Sequence, residues 1–210
     1  LQILLRLQRA HKVSAQLPSM DQAWAKRESM RFVNEYLPAL PEGDWDPLAM
    51  ESVIDALATD VAAQSQGLSH RDFHAANLMC LPNDELGVLD FQSAFYAPLV
   101  YDAVSLLRDC YIDWPAQQVE HWLQQFYASS PLWQQHYVSF NALQQAFAAV
   151  SLQRHLKCLG LFVSLVKAGQ RDYLPAIPRT LRYVQQVCQQ NPSWEVFLPA
   201  VEMGLTGCLG

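Results

Sequence analysis

Residues 70–77 read HRDFHAAN, and a second short motif, DFQ, follows at residues 90–92. The first segment places a histidine, an aspartate and an asparagine in the order H-x-D-x-x-x-x-N. Both motifs are rich in polar side chains, and the segment between them is largely apolar. This alternation indicates two polar turns joined by short buried strands.

The segment between the motifs predicts a β-hairpin. Strands are expected at residues 78–81 and 86–89, separated by a turn at residues 82–84 that reads Pro-Asn-Asp. A hairpin of this length returns the chain to its starting point. Asn77 and Asp90 would therefore lie together at its open end.

The spacing of the first motif matches the catalytic loop of kinases, in which the Asp accepts the proton of the acceptor hydroxyl and the Asn holds magnesium. Asp72 is then the candidate catalytic base, and Asn77 and Asp90 are the candidate metal ligands. During transfer, negative charge is spread over the oxygens of the phosphoryl group, and magnesium stabilises this charge. Magnesium in turn prefers hard oxygen ligands from the protein. His70 has no role at the phosphate in this template, so we expect it to support the loop.

Each of these residues by itself also fits a structural role. Aspartate and asparagine form turns and caps, and a histidine is often a core residue with satisfied hydrogen bonds. Their joint occurrence, with an apolar strand leading into Asp90, favours the kinase site.

The chain resembles the C-terminal lobe of the aminoglycoside phosphotransferase and choline kinase superfamily, over roughly residues 1–200. Within that superfamily it is most similar to the bacterial anomeric kinases of N-acetylmuramate and N-acetylglucosamine. The resemblance rests on four segments: His70 to Met79, Gly87 to Gln92, Pro98 to Asp113, and Gln153 to Phe162. It implies an α+β, mainly α fold, the helical lobe of a protein-kinase-like fold with a short β-hairpin that carries the catalytic and metal residues.

The resemblance also implies a function. ATP and Mg²⁺ would be the cofactors, and the γ-phosphate would pass to the anomeric hydroxyl of an amino sugar in cell wall recycling. By position, Asp72 would be the base, Asn77 and Asp90 the magnesium ligands, and Asp102 a support of the catalytic loop. Arg71 and Gln92 stand where aminoglycoside kinases usually have glycine, and both agree with the sugar kinases.

One part of the family pattern is not found. These kinases hold the nucleotide phosphates with a glycine-rich loop and a lysine in an N-terminal β-rich lobe, and the sequence contains neither in a strand-like segment. We therefore expect residues 1–210 to be the C-terminal catalytic and substrate-binding lobe, with the N-terminal lobe as a missing partner.

The composition excludes several classes of protein. With 210 residues, 51% of them hydrophobic, the chain can form one sizeable core, and one domain is expected. The net charge of −6 provides no electrostatic footprint for nucleic acid. No apolar run reaches the roughly 18 residues of a membrane span. We expect a cytoplasmic protein without nucleic acid or membrane partners.

Helical patterns account for most of the remaining chain. They predict helices at residues 1–13, at 19–36 with Ser19 and Gln22 as a capping box, and at 47–61 with Asp46 as cap and Gly67 as the stop signal. Asp102 is expected to cap a helix through Cys110. Further helices are predicted at 116–129, 131–147, 149–168, 176–190 and 193–204.

Aromatic residues suggest the nature of the acceptor. Aminoglycosides are polycations and require an acidic pocket, whereas the segment from Tyr111 to Lys157 contains few acids and many aromatics. Sugars stack on aromatic rings, so Trp114 is a candidate substrate contact. An aromatic at helical spacing also fits a core position.

A basic group on a later helix is a second candidate for the acceptor. N-acetylmuramate carries a carboxylate, which arginine binds in bidentate fashion. The candidates for this contact are Arg154, His155 and Lys157. The same three residues also fit a solvated helix face.

Two alternatives to the sugar kinase remain open at this stage. An aminoglycoside or amino alcohol kinase of the choline type would use the same catalytic residues. A kinase lobe that binds a sugar or a protein without turnover would fit the missing nucleotide lobe, although the intact Asp72, Asn77 and Asp90 weigh against it.

Overall fold

Helices dominate the structure, a computed structural model that describes residues 2–8, 17–82 and 85–207. The described helices are α1 (Gln2–Gln8), α2 (Gln22–Ser29), α3 (Pro47–Ala63), α4 (Tyr101–Leu107), α5 (Ala116–Ser129), α6 (Pro131–His136), α7 (Phe140–Lys167), α8 (Ala176–Gln190) and α9 (Leu198–Leu205). The described strands are β1 (Gln66–Ser69), β2 (Leu78–Cys80), β3 (Leu86–Val88) and β4 (Phe95–Pro98). The predicted α+β, mainly α class is confirmed.

The residues group into two compact units. The first contains residues 1–20 and 63–150, and the second contains residues 21–62 and 151–210. All four strands and both polar motifs belong to the first unit.

A strand pair that was not predicted from the sequence leads into the candidate catalytic loop, residues 70–77, which is called the catalytic loop from here on. β1 and β4 are antiparallel, with Ser69 opposite Phe95. The stretch before α2 extends this pair, because the Met20 amide donates to the Tyr96 carbonyl over 2.8 Å. Gly67, the predicted stop of α3, lies inside β1, since α3 already ends at Ala63. The catalytic loop therefore follows a paired strand and not a helix.

The predicted hairpin is confirmed within the described residues. β2 and β3 are antiparallel, with Leu78 opposite Val88, and each strand is one residue shorter than expected. One further backbone hydrogen bond, from the Leu89 amide to the Asn77 carbonyl over 2.9 Å, continues the pairing towards the open end. The last two residues of the predicted turn, 83 and 84, lie outside the described part of the chain.

Two predicted helix starts have different outcomes. The Asp46 carboxylate accepts the amide hydrogens of Leu48 and Ala49, at 2.9 and 3.1 Å, so the predicted cap of α3 is confirmed. The cap of α2 was placed wrongly. Asp21 caps it by accepting the Trp24 amide at 2.7 Å, because Ser19 is engaged in a bridge with β4.

The ends of several helices differ from the predicted ones. α1 covers residues 2–8 of the predicted 1–13, and residues 9–13 lie outside the described chain. α2 ends at Ser29, and the predicted continuation to residue 36 is a separate π-helical turn, Phe32–Tyr36. The helices predicted at 116–129 and 176–190 are confirmed as α5 and α8.

The predicted break near residue 148 is wrong. The chain breaks instead at residues 137–139, and α7 then runs without interruption for 28 residues. By length and composition α7 could cross a membrane, but 78% of its most apolar window is buried in the protein. This is weak evidence for a span, because a buried core helix passes the same test.

Candidate active site

His70 is the first residue of the catalytic loop and is almost completely buried. Its Nε2 lies 2.8 Å from the Leu89 carbonyl oxygen, and its ring meets the Phe73 ring edge-on at 5.9 Å. A carbonyl can only accept, so Nε2 carries the proton and donates it. The imidazole thereby joins the loop to the strand end before Asp90.

Asp102 holds the backbone at the start of the loop. The carboxylate is fully buried in the first turn of α4, where Oδ2 accepts the His70 amide at 2.6 Å and Oδ1 accepts the Arg71 amide at 3.0 Å. Arg71 has φ of 79°, in the left-handed region that few side chains adopt. The predicted helix cap at Asp102 is wrong, because Val100 is the cap residue of α4 and makes no side-chain bond.

Asp109 holds the later part of the loop and was not singled out from the sequence. This carboxylate is 1% exposed and accepts the amide hydrogens of Ala75 and Tyr111, both at 2.8 Å. Asp109 follows Asp102 by seven residues, a spacing of about two helical turns that would place both on one face of a continuous helix. That spacing was the available signal, although α4 ends two residues before Asp109.

Asp72 and Asn77 are joined by a hydrogen bond across the loop. The Asn77 Nδ2 donates to the Asp72 backbone carbonyl over 2.9 Å, and both side chains are partly exposed. This bond fixes the orientation of the amide. The Asn77 Oδ1 therefore points to the opposite side from Nδ2 and remains the group suited to a cation.

Asp90 follows the hairpin and is exposed. Its backbone is left-handed, with φ of 64°, and its carboxylate accepts a hydrogen bond from the Gln92 side chain. Because Leu78 pairs with Val88, Asn77 and Asp90 lie at the same, open end of the β2–β3 hairpin.

These two side chains suit magnesium. No group of three or more His, Cys, Asp or Glu side chains that could hold a metal occurs among the described residues. Magnesium does not need one, because it is usually held by one or two protein oxygens, with waters and substrate phosphates as its other ligands. One amide oxygen and one carboxylate, from Asn77 and Asp90, fit that pattern.

The hairpin also exposes large apolar side chains, so the expectation that its two short strands are buried is wrong. Phe91 is 71% exposed. The others are Met79, Leu81, Leu86 and Leu89, exposed by 38 to 48%. We call these five residues the hairpin patch. Four of its members lie between Asn77 and Asp90 in the sequence, and Phe91 directly follows Asp90.

Trp114 belongs to the first unit and is partly exposed. Its ring meets the Trp122 ring edge-on, with centroids 5.2 Å apart. A role in substrate binding stays a prediction for this residue.

The predicted basic group lies in the second unit and is buried. Arg154, His155 and Lys157 are 5, 0 and 6% exposed. His155 stacks on Tyr183 at 5.1 Å, and the Lys157 ammonium lies 3.9 Å from the Glu28 carboxylate. The alternative interpretation, that these residues lie on a solvated helix face, is therefore wrong. Their contact with an acceptor stays a prediction.

The chain is similar to several curated proteins named N-acetylmuramate/N-acetylglucosamine kinase. It is 34% identical over 199 residues to the protein from Pseudomonas putida, covering 90% of this chain and 57% of the relative. The Neisseria meningitidis protein is 37% identical over 146 residues, covering 67% of this chain and 42% of the relative. The Pseudomonas aeruginosa protein is 32% identical over 189 residues, covering 86% and 54%.

The chain spans about half the length of the curated relatives it matches. The model of the phosphotransferase enzyme family, APH, matches residues 1–137, a segment that contains both polar motifs and the two buried carboxylates that hold the loop. Because this match covers more than half of the chain, the protein belongs to the phosphotransferase enzyme family.

Proposed function

We propose that this chain is the catalytic and acceptor-binding lobe of an ATP-dependent sugar kinase. The γ-phosphate of ATP would pass to the anomeric hydroxyl of N-acetylmuramate or N-acetylglucosamine, in cytoplasmic recycling of peptidoglycan sugars. The names of the relatives support the acceptor. The observation that carries the proposal is the loop in which Asp72 is fixed next to Asn77, with Asp90 at the same end of the hairpin.

In this proposal Asp72 acts on the acceptor. Its carboxylate orients the sugar hydroxyl and accepts its proton as the bond to phosphorus forms. The Asp102 carboxylate, which accepts the amide hydrogens of residues 70 and 71, and the imidazole of His70 keep the loop in one conformation, so that little reorganisation is needed before transfer.

Asn77 and Asp90 would hold magnesium, which supplies positive charge to the phosphate oxygens. Asn77 offers its Oδ1 because Nδ2 is bound to the Asp72 carbonyl. Gln92 occupies one carboxylate oxygen of Asp90, which leaves the other oxygen for the cation.

A nucleotide-binding lobe would complete the enzyme. In the family such a lobe holds the ATP phosphates, and we propose that the hairpin patch faces it. The exposure of Phe91 and its apolar neighbours supports this part of the proposal, since large exposed apolar patches mark interaction surfaces.

The test is phosphorus NMR of ATP, magnesium and each amino sugar, with the natural full-length polypeptide that contains this chain. The matched control is Asp72→Asn, which keeps the shape of the side chain and removes its basicity. We expect a sugar 1-phosphate signal with the unchanged protein. In the control its rate of formation should be lower by roughly 10²- to 10⁴-fold. ATP that stays intact with both sugars would reject these acceptors. Choline and an aminoglycoside are run in parallel, because a product from either would indicate the alternative acceptor class.

A further inference from the structure

We propose that Tyr111 forms an aromatic wall of the acceptor site, and that the buried Asp109 is the positioning residue that fixes Tyr111 to the catalytic loop. This inference rests on the proposed kinase function, because it assigns residues to the acceptor side of the same site.

The first step of the argument is the position of Asp109. Its two oxygens each accept one amide hydrogen over 2.8 Å, one from Ala75 in the catalytic loop and one from Tyr111 in the segment after α4. A buried carboxylate requires such donors, and hydrogen bonds to a charged group are stronger than neutral ones. A single side chain therefore couples the two segments, and a shift of one moves the other.

The second step is the position of the Tyr111 ring. It meets the His74 ring at 5.5 Å between centroids, with the ring planes inclined by 66°. His74 is two residues after Asp72 in the loop. The Tyr111 ring therefore lies beside the segment that presents the candidate base.

The third step is exposure. Tyr111 is 40% exposed, although its backbone is held by a carboxylate that is 1% exposed. A tyrosine offers an apolar ring face together with a polar tip, which suits a ligand with both kinds of surface. The CH face of a pyranose and its hydroxyl groups form such a ligand.

The fixed backbone adds a physical advantage. A ring that is already held when the acceptor arrives loses little conformational freedom on binding, which favours affinity. Since the same Asp109 holds Ala75, the wall and the base keep a constant separation, as transfer to one chosen hydroxyl requires.

The experiment compares Tyr111→Ala with Tyr111→Phe in the same full-length polypeptide, measuring kcat and both KM values. We expect Tyr111→Ala to raise the KM for the sugar by about 10-fold or more, with the KM for ATP within about twofold, because only acceptor binding is weakened. Tyr111→Phe keeps the ring and should restore the sugar KM to within about threefold of wild type. Tyr173→Ala is the matched control, because Tyr173 is a partly exposed tyrosine that stacks on Phe162 in the second unit.

Asp109→Asn tests the positioning role. The substitution replaces one acceptor oxygen with an NH₂ group that faces a backbone amide, so that one of the two segments is released. We expect a lower kcat together with a raised KM for the sugar and an unchanged KM for ATP. The folded fraction of each protein is measured by circular dichroism, and kcat is calculated per folded molecule. A purely structural role would lower the melting temperature without this difference between the two KM values.

Binding of the sugar is measured separately by saturation-transfer NMR, so that the two proposals can fail independently. A sugar KM that stays at the wild-type value in Tyr111→Ala, in an enzyme that transfers phosphate, overturns the inference and leaves the kinase function intact. Sugar binding that is lost in Tyr111→Ala, in a protein that transfers no phosphate, supports the inference and overturns the kinase function.

Discussion

The catalytic loop and the hairpin that follows it are held in opposite ways. Two buried carboxylates, Asp102 and Asp109, accept three backbone amide hydrogens of the loop at 2.6 to 3.0 Å. Among the described residues the hairpin has three residue pairs, and the candidate metal ligand Asp90 at its end is exposed. The loop is thus fixed from inside the protein, whereas the hairpin is covered by little of the chain itself.

The two regions therefore position their functional side chains in two different ways. The candidate base needs a fixed position before the acceptor binds, and buried charge-assisted hydrogen bonds provide it. The candidate metal ligand binds an ion that also takes oxygens from waters and phosphates, so its final position depends on the bound substrate. Substitutions in the two regions should therefore differ in their effect on the free energy of unfolding.

The largest expected effect is at Asp102. Asp102→Ala removes both acceptors from the His70 and Arg71 amides and leaves these buried donors without partners. We expect the free energy of unfolding in urea to fall by about 2–4 kcal/mol, with loss of activity. Asp60→Ala, at an exposed site on α3, is the control and should change it by less than about 0.5 kcal/mol. Equal effects of the two substitutions would mean that buried carboxylates do not support the loop.

A partly exposed carboxylate, Glu35 in the second unit, should give an intermediate effect. Burial raises the pKa of Glu35, but hydrogen bonds from Arg31 and Ser164, at 3.0 and 2.5 Å, outweigh it, and the pKa lies below the usual 4.5. A lowered pKa in the folded state stabilises the protein above the unfolded pKa, and this stabilisation is lost as the pH falls through the folded value.

Glu35→Gln should therefore lower the free energy of unfolding at pH 7 by about 1 kcal/mol. The difference between the two proteins should shrink as the pH falls below the usual pKa of 4.5 and disappear once the carboxylate of the folded protein is protonated. Urea unfolding across this pH range makes the measurement, with Glu202→Gln at an exposed position as the control. A gap that stays constant down to acid pH would contradict the role of the ionised carboxylate.

At Asp90 we expect a small change in stability and a large change in metal dependence. Asp90→Asn keeps a residue that tolerates the left-handed backbone, so the free energy of unfolding should change by less than about 0.5 kcal/mol. The magnesium concentration for half-maximal activity should rise by more than roughly 100-fold. Loss of a residue that only hydrogen-bonds to a metal ligand costs roughly 10- to 100-fold, and loss of a ligand itself should cost more. Titration of activity with MgCl₂ measures it. An unchanged magnesium requirement would remove Asp90 from the metal site.

The smallest effect on stability is expected in the hairpin patch. Phe91→Ser replaces a side chain that is already 71% exposed, so the free energy of unfolding should stay within about 0.5 kcal/mol. Self-association of the chain alone, measured by sedimentation velocity, should decrease, because an exposed apolar surface is removed. Val138→Ser, at a residue that is 91% exposed in the segment before α7, is the control. Equal sedimentation of the two variants would mean that the patch does not drive association.

The sequence predicted the features that depend on neighbouring residues. The hairpin followed from two short apolar runs around a turn, and the cap at Asp46 followed from an aspartate before a proline. The spacing of Asp72 and Asn77 is also local, since only four residues separate them. Their roles in catalysis stay predictions.

Features that depend on distant residues were missed. β1 pairs with a strand almost thirty residues later, and its sequence, QGLS, has no clear alternation of polar and apolar residues. Asp109 was missed because its partners, the amides of Ala75 and Tyr111, carry no side-chain signal. The cap at Ser19 was wrong for a related reason, since pairing with Tyr96 in the folded chain overrides a local preference.

Arg71 and Asp90, the two described residues other than glycine with a left-handed backbone, differ in what a glycine would change there. Glycine would relieve the conformational strain at either position, which for most side chains is about 1–2 kcal/mol. At position 71 glycine would leave the candidate base and metal ligands untouched, and the aminoglycoside kinases that this chain resembles usually have it there. At position 90 glycine would remove a candidate metal ligand, so aspartate there combines a tolerable conformation with the carboxylate oxygen that the proposed magnesium site uses. Glycine at position 71 would thus spare the proposed magnesium site, whereas glycine at position 90 would relieve the backbone and remove an oxygen of that site together.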